Sequence, residues 1–217
     1  MSDVIARPAK PSVWKAFTQP AAWTMFFFGF ASGMPFLLVA GTLAYWLKDN
    51  DLDLKSITLI ASAGMTYTLK FLWAPLVDRW MLPIFCKLGL RRGWILFALL
   101  WVMAALLAMA QLTPDHLTPF VWVTVIAAFG GATLDIGVDA YRVEIAPRQD
   151  QGALLATYSL GYRIALIITG AMALVMADHL PWPMVYRVMA AVLLIPVVAV
   201  FFANEPTTHR IKASNWE

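Results

Sequence analysis

The sequence predicts an all-α membrane protein with six transmembrane helices and both termini in the cytoplasm. Three observations carry that expectation: composition, segment length and the placement of Lys and Arg. Of the 217 residues, 61% are hydrophobic and 13% charged, whereas a soluble domain is about half apolar and a quarter charged. Six apolar segments reach roughly the 20 residues that a bilayer requires. They lie at about 22–47, 56–77, 94–111, 119–142, 153–177 and 184–203. Residues 1–21 form a polar cytoplasmic segment, and residues 204–217 a cytoplasmic tail or the start of a linker.

Orientation follows from the bias of Lys and Arg toward cytoplasmic loops. Arg7, Lys10 and Lys15 precede the first span; Arg79, Lys87, Arg91 and Arg92 lie between the second and third. Arg142 and Arg148 lie where the fourth meets the fifth, and Arg210 and Lys212 follow the sixth. The alternate loops are poor in both. The net charge of +3 is this loop bias and not a nucleic-acid footprint. The first apolar segment is too long for a signal-peptide core, so it is expected to stay as an uncleaved anchor. The single cysteine, Cys86, excludes an internal disulfide and has no partners for a metal site; His116, His179 and His209 fall in loops or the tail. No cofactor or metal is expected, and no enzyme activity.

In the first span, Gly29 and Gly33 form a GxxxG pair that admits a close neighbour, and Pro35 is expected to kink the helix. Phe28-Gly29-x-Ala31-Ser32 recurs in the fourth span as Phe129-Gly130-x-Ala132-Thr133. Spans 1 and 4 thus open two successive three-helix units. Because three is odd, the units cross the membrane in opposite directions, an inverted 3+3 repeat.

The second span carries Tyr67 and Lys70 and ends in Asp78-Arg79; the loop continues to Arg91-Arg92. The order of a small residue, Asp-Arg and a later basic pair suits a state-dependent latch. Asp78 is expected to pair with a cation on a neighbouring helix, with Arg142 as the candidate. Positive-inside anchoring accounts for Arg91 and Arg92.

The fourth span ends in FGGATLDIGVDAYRVE, with Asp135, Asp139, Arg142 and Glu144. Positions 135, 139 and 142 share a helical face, which Gly131 continues one turn up. A charge near the bilayer centre costs about 3 kcal/mol, and such groups face a bundle interior or an aqueous cavity. The fifth span adds Tyr158, Tyr162 and Arg163. At 1.5 Å rise per residue, Lys70, Asp135 and Arg163 fall within about 5 Å of one another in depth. Three charges in one layer point to a shared cavity; a structural Asp135–Arg163 pair is the alternative. Asp135 and Asp139 share one helix, which argues against an intramembrane aspartyl protease.

These residues resemble the AmpG-type muropeptide permeases of the major facilitator superfamily. The matching stretches are GFASGMPF at 29–36, LDLKSITL at 52–59, KFLWAPLVDR at 70–79, LRRGW at 90–94, ATLDIGVDAYRVEI at 132–145 and LGYR at 160–163. Leu134 departs from the pattern, where a polar Gln is expected. The resemblance implies the N-terminal six-helix half of a major facilitator fold in the bacterial inner membrane. It implies proton-coupled import of anhydro-muropeptides from periplasm to cytoplasm for cell-wall recycling. Related acetyl-coenzyme A transporters share parts of the pattern, so another anionic solute is the alternative substrate, and a non-transporting assembly protein the alternative class.

On this reading Asp135 and Asp139 carry the proton, since burial and a neighbouring cation pull a carboxylate in opposite directions. Lys70 and Arg163 meet the anionic substrate, while Tyr45, Tyr67, Tyr158 and Tyr162 offer rings to its sugars. Asp78, Arg79, Arg91, Arg92, Arg142 and Glu144 form the gate. Gly29, Gly33, Pro35 and Gly131 serve helix packing. The expected partners are the lipid bilayer, the substrate, protons, and either a C-terminal six-helix half or a second copy in a homodimer.

Overall fold

The structure is a computed structural model that describes residues 19–113 and 117–206. The expected N-terminal segment and tail, with their Lys and Arg residues, lie almost wholly outside these residues, as do His116 and His209. Six helical segments run back and forth. The first is α1 (Pro20–Leu38) with α2 (Gly41–Asp49); the second joins α3 (Leu54–Ala61), a 3-10 stretch (Ser62–Leu72) and α4 (Ala74–Arg79). A short 3-10 turn (Pro83–Leu88) leads to α5 (Leu90–Met109), then α6 (Leu117–Ile145). The fifth joins α7 (Gln151–Ile167), a π turn (Ile168–Met172) and α8 (Ala173–Ala177); the sixth joins α9 (Trp182–Val192) and α10 (Leu194–Phe202).

Five of these segments are long and apolar enough to cross a membrane, and their ends fall within four residues of the expected ones. The second segment differs: eleven of its residues wind as a 3-10 helix rather than an α-helix. Pro75 has no N–H to bond the carbonyl of Phe71, and the chain breaks just before it at Trp73, with φ −111° and ψ −1°. The eleven residues ahead of the break wind as a 3-10 helix, in which residues three apart eclipse one another. Gly64, Tyr67, Lys70 and Trp73 are therefore stacked along one face. An α-helical reading would fan the same residues over about 180°.

Packing repeats within the chain. α1 lies along α7, and the Ser62–Leu72 stretch along α6; α6 lies along α5, and α10 along α1. α1 also packs on α6, and α9 on α5. Exchanging the first three segments for the last three maps the first four pairings onto one another in twos and the last two onto themselves, the pattern of a 3+3 repeat. The tightest seam is α1 against α7. A Cβ at Gly29 would overlap the backbone of Tyr158, one at Gly33 would approach the Tyr162 carbonyl to 2.7 Å, and one at Gly161 would overlap the Phe26 carbonyl. The first segment breaks at Ala40, beyond Pro35. A neighbour takes up the polar backbone there, as an apolar medium demands: Tyr186 OH donates to the Leu38 carbonyl at 2.7 Å; the first segment in turn satisfies the π turn, where Thr42 Oγ1 donates to the Thr169 carbonyl at 2.5 Å.

Candidate functional site

Two charged clusters lie along α6. The inner one is built where the Ser62–Leu72 stretch crosses it. Lys70 Nζ stands 3.7 Å from Asp135 Oδ2 and 3.6 Å from Asp139 Oδ2. Arg142 Nη2 stands 3.7 Å from Asp139 Oδ1. These separations exceed hydrogen-bond length, so Lys70 acts as a point charge shared between two carboxylates rather than as a fixed donor. Around the acids are rings. Tyr158 and Tyr162, a turn apart on α7, have centroids 6.1 Å apart, and Phe36 meets Tyr67 edge-on at 5.9 Å. Gly131 makes room for the Tyr67 hydroxyl, which a Cβ there would overlap. The Tyr67 hydroxyl and Asp135 Oδ1 are buried and make no hydrogen bond. Ser32 stands beside Asp135 and Tyr158.

Three expectations are corrected here. Asp135 pairs with Lys70 and not with Arg163, because the 3-10 winding carries Lys70 onto α6. Arg163 is exposed on the outer face of α7 and has no ion pair among the described residues. Tyr45 is also exposed, on α2, and joins none of these ring contacts. Leu134 is fully buried in the hydrophobic core, one residue off the face that carries Asp135, so it does not line the cluster.

The outer cluster is tighter. Arg91, in the first turn of α5, is only 6% exposed. Its Nε and Nη2 donate to Glu144 Oε2 and Oε1 at 3.0 and 2.5 Å, and its Nη1 donates to Asp78 Oδ1 at 2.8 Å. This fork-on-fork geometry, charged on both sides, is the strong form of a hydrogen bond. The partner of Asp78 is therefore Arg91, thirteen residues along, and not Arg142, which turns to Asp139. Arg91 is no mere interfacial anchor: it ties α4, α5 and α6 together. Arg79 lies outside this network, exposed at the end of α4. Both clusters line one cavity of about 500 Å³, with Lys70 and Asp139 at one side and Asp78, Arg91 and Glu144 at the other.

Sequence reasoning missed three contributors. Phe36 was hidden among apolar neighbours. Trp73, which stacks on Phe129 at 4.5 Å and donates to Thr133 Oγ1 at 3.1 Å, shares the Tyr67–Lys70 face only once the winding is known. Glu205 accepts from the backbone N–H groups of Arg91 and Arg92 at 2.9 and 3.1 Å; its one visible signal was a lone acid directly after the last apolar run. Among the described residues no group of His, Cys, Asp and Glu is arranged to hold a metal.

Residues 17–217 match the Major Facilitator Superfamily. The chain is 39% identical over 197 residues to the anhydromuropeptide permease of Escherichia coli (strain K12), covering 89% of this chain and 39% of that protein. It is 34% identical over 203 residues to the transporter AmpG 4 of Rickettsia conorii, covering 92% and 49%. It is 35% identical over 182 residues to an uncharacterized protein of Haemophilus influenzae, covering 83% and 42%. The chain thus spans two fifths to half the length of these relatives.

Proposed function

Since the chain belongs to the Major Facilitator Superfamily, we propose that it forms one six-helix half of a proton-coupled importer of anhydro-muropeptides. The observation that carries this is Lys70 held between Asp135 and Asp139 in the layer of exposed Arg163 and the rings of Tyr67, Tyr158 and Tyr162. A cation shared by two acids releases one of them when a proton or an anionic group arrives, and its neighbours then re-pair. Carboxylate-bearing peptides on the substrate compete for Lys70 and Arg163, and the rings face its sugars. Asp135 and Asp139 are the proton carriers. The Asp78–Arg91–Glu144 cluster is the gate, set at the cytoplasmic side with both chain termini.

The need for a second half is supported by what the bundle leaves uncovered. Within the fifth segment 22% of the apolar stretch is buried in the bundle, against 67% for the first. Its exposed face includes Arg163, and the second segment exposes Leu69, Phe71 and Leu72 beside Lys70. A face that carries a cation is poorly suited to lipid and well suited to a cavity closed by another bundle. A C-terminal half or a second copy in a homodimer meets that need. Asp139→Asn in the full-length transporter is expected to abolish uptake driven by a proton gradient in inner-membrane vesicles. Gradient-driven uptake at the wild-type rate overturns the assignment.

A further inference from the structure

The chain leaving the sixth span is clasped to the gate. Glu205 Oε1 accepts from the N–H of Arg91 at 2.9 Å, and Oε2 from the N–H of Arg92 at 3.1 Å. The Arg92 guanidinium returns the contact. Its Nε donates to the Val200 carbonyl at 2.9 Å and its Nη2 to the Phe201 carbonyl at 3.1 Å, in the last turn of α10. Tyr141 OH donates to the Asn204 carbonyl at 2.8 Å. The open end of α5 and the open end of α10, which each lack intrahelical partners, thus satisfy one another.

Sequence and geometry show why an acid is needed at this point. Two arginines in the first turn of α5 stand at the positive end of its dipole, where cations are unfavourable. A carboxylate on the same N–H groups reverses that local field. Gly89, the residue before α5, has φ +97°, and a Cβ there would meet Glu205 Oε1 at 2.5 Å. Both the left-handed backbone and the seat of the carboxylate therefore require glycine. The bond to Arg91 matters most, since the backbone it fixes carries the guanidinium that bridges Asp78 and Glu144.

We propose that Glu205 is a positioning residue for the gate: it sets the start of α5 so that Arg91 reaches Asp78 and Glu144 together, and so couples the chain after the sixth span to gate closure. The proposal rests on the transport reading above. It is tested in the full-length transporter, in inside-out vesicles, with Cys86→Ser and a reporter at Ala140→Cys on the cavity wall. The readout is the labelling rate by a membrane-impermeant maleimide, with and without an anhydro-muropeptide.

Glu205→Gln keeps the shape but turns one acceptor into a donor. It is expected to raise substrate-free labelling about tenfold, the scale of one lost charge-assisted hydrogen bond. Arg91→Lys is expected to do the same, and the double variant to be no faster than either single one, because the two act on one contact. Gly89→Ala, whose Cβ would occupy the seat of the carboxylate, is expected to follow Glu205→Gln. If Glu205→Gln changes only protein amount or thermal stability, with labelling and substrate response as in wild type, the positioning role is overturned. If wild-type labelling ignores substrate while Glu205→Gln still matches Arg91→Lys, the positioning stands and the transport reading falls.

Discussion

The two charged clusters on α6 lie within two turns of each other and are built to opposite specifications. At the inner one, a lysine sits 3.6 to 3.7 Å from two carboxylates, with no hydrogen bond closed and a buried Tyr67 hydroxyl left over. At the outer one, an arginine makes three bonds of 2.5 to 3.0 Å to two acids from different helices, and its own backbone is held by a third acid. The inner cluster stores charge loosely, so a proton or a substrate anion can re-partition it. The outer cluster stores geometry and has two well-defined conditions, made and broken. Lysine suits the first as a flexible point charge and arginine the second as a planar fork.

That contrast predicts unequal sensitivity. The largest effect is expected at the fork. Arg91→Ala removes the charge-assisted bonds to the partly exposed Asp78 and Glu144 and the tie between three helices, a loss of about 2–3 kcal/mol. The measurement is thermal unfolding of the purified transporter in detergent, and a variant with wild-type stability breaks the contrast. Lys70→Met, at the inner cluster, is expected to cost far less stability and far more gradient-driven uptake. Equal losses of stability at Arg91 and Lys70 would erase the distinction.

Next comes the α1–α7 seam, which carries the Tyr158 and Tyr162 rings beside the inner cluster. Gly29→Ala places a methyl group on the backbone of Tyr158, which no rotamer change relieves, and is expected to cost about 1–3 kcal/mol of overpacking. Unfolding in the same assay sharpens the comparison, since the seam carries rings of the inner cluster and no residue of the outer one.

Most of the architecture was legible in the chain because hydropathy alone marks a membrane helix. That Lys70 and Asp135 share a level followed from counting residues, and the GxxxG glycines from their spacing. Partners were not legible. The choice of Arg91 over Arg142 for Asp78 depends on how the Pro83–Leu88 turn returns the chain, and no periodicity encodes that. The choice of Lys70 over Arg163 for Asp135 depends on a 3-10 winding whose residues differ little in composition from an α-helix. Glu205 lies 114 residues from Arg91, and only tertiary packing brings them together. Leu134, where the family pattern has a polar Gln, lies buried in the core on the packing side of α6, a placement that the pattern itself does not encode.

The most direct test of the central claim is a proton count. Anhydro-muropeptide is added to weakly buffered vesicles holding the full-length transporter, and external pH is recorded. Wild type is predicted to make the medium alkaline as protons enter with substrate, and Asp139→Asn to leave pH unchanged. An Asp139→Asn transporter that draws in protons with substrate at the wild-type rate would contradict the account.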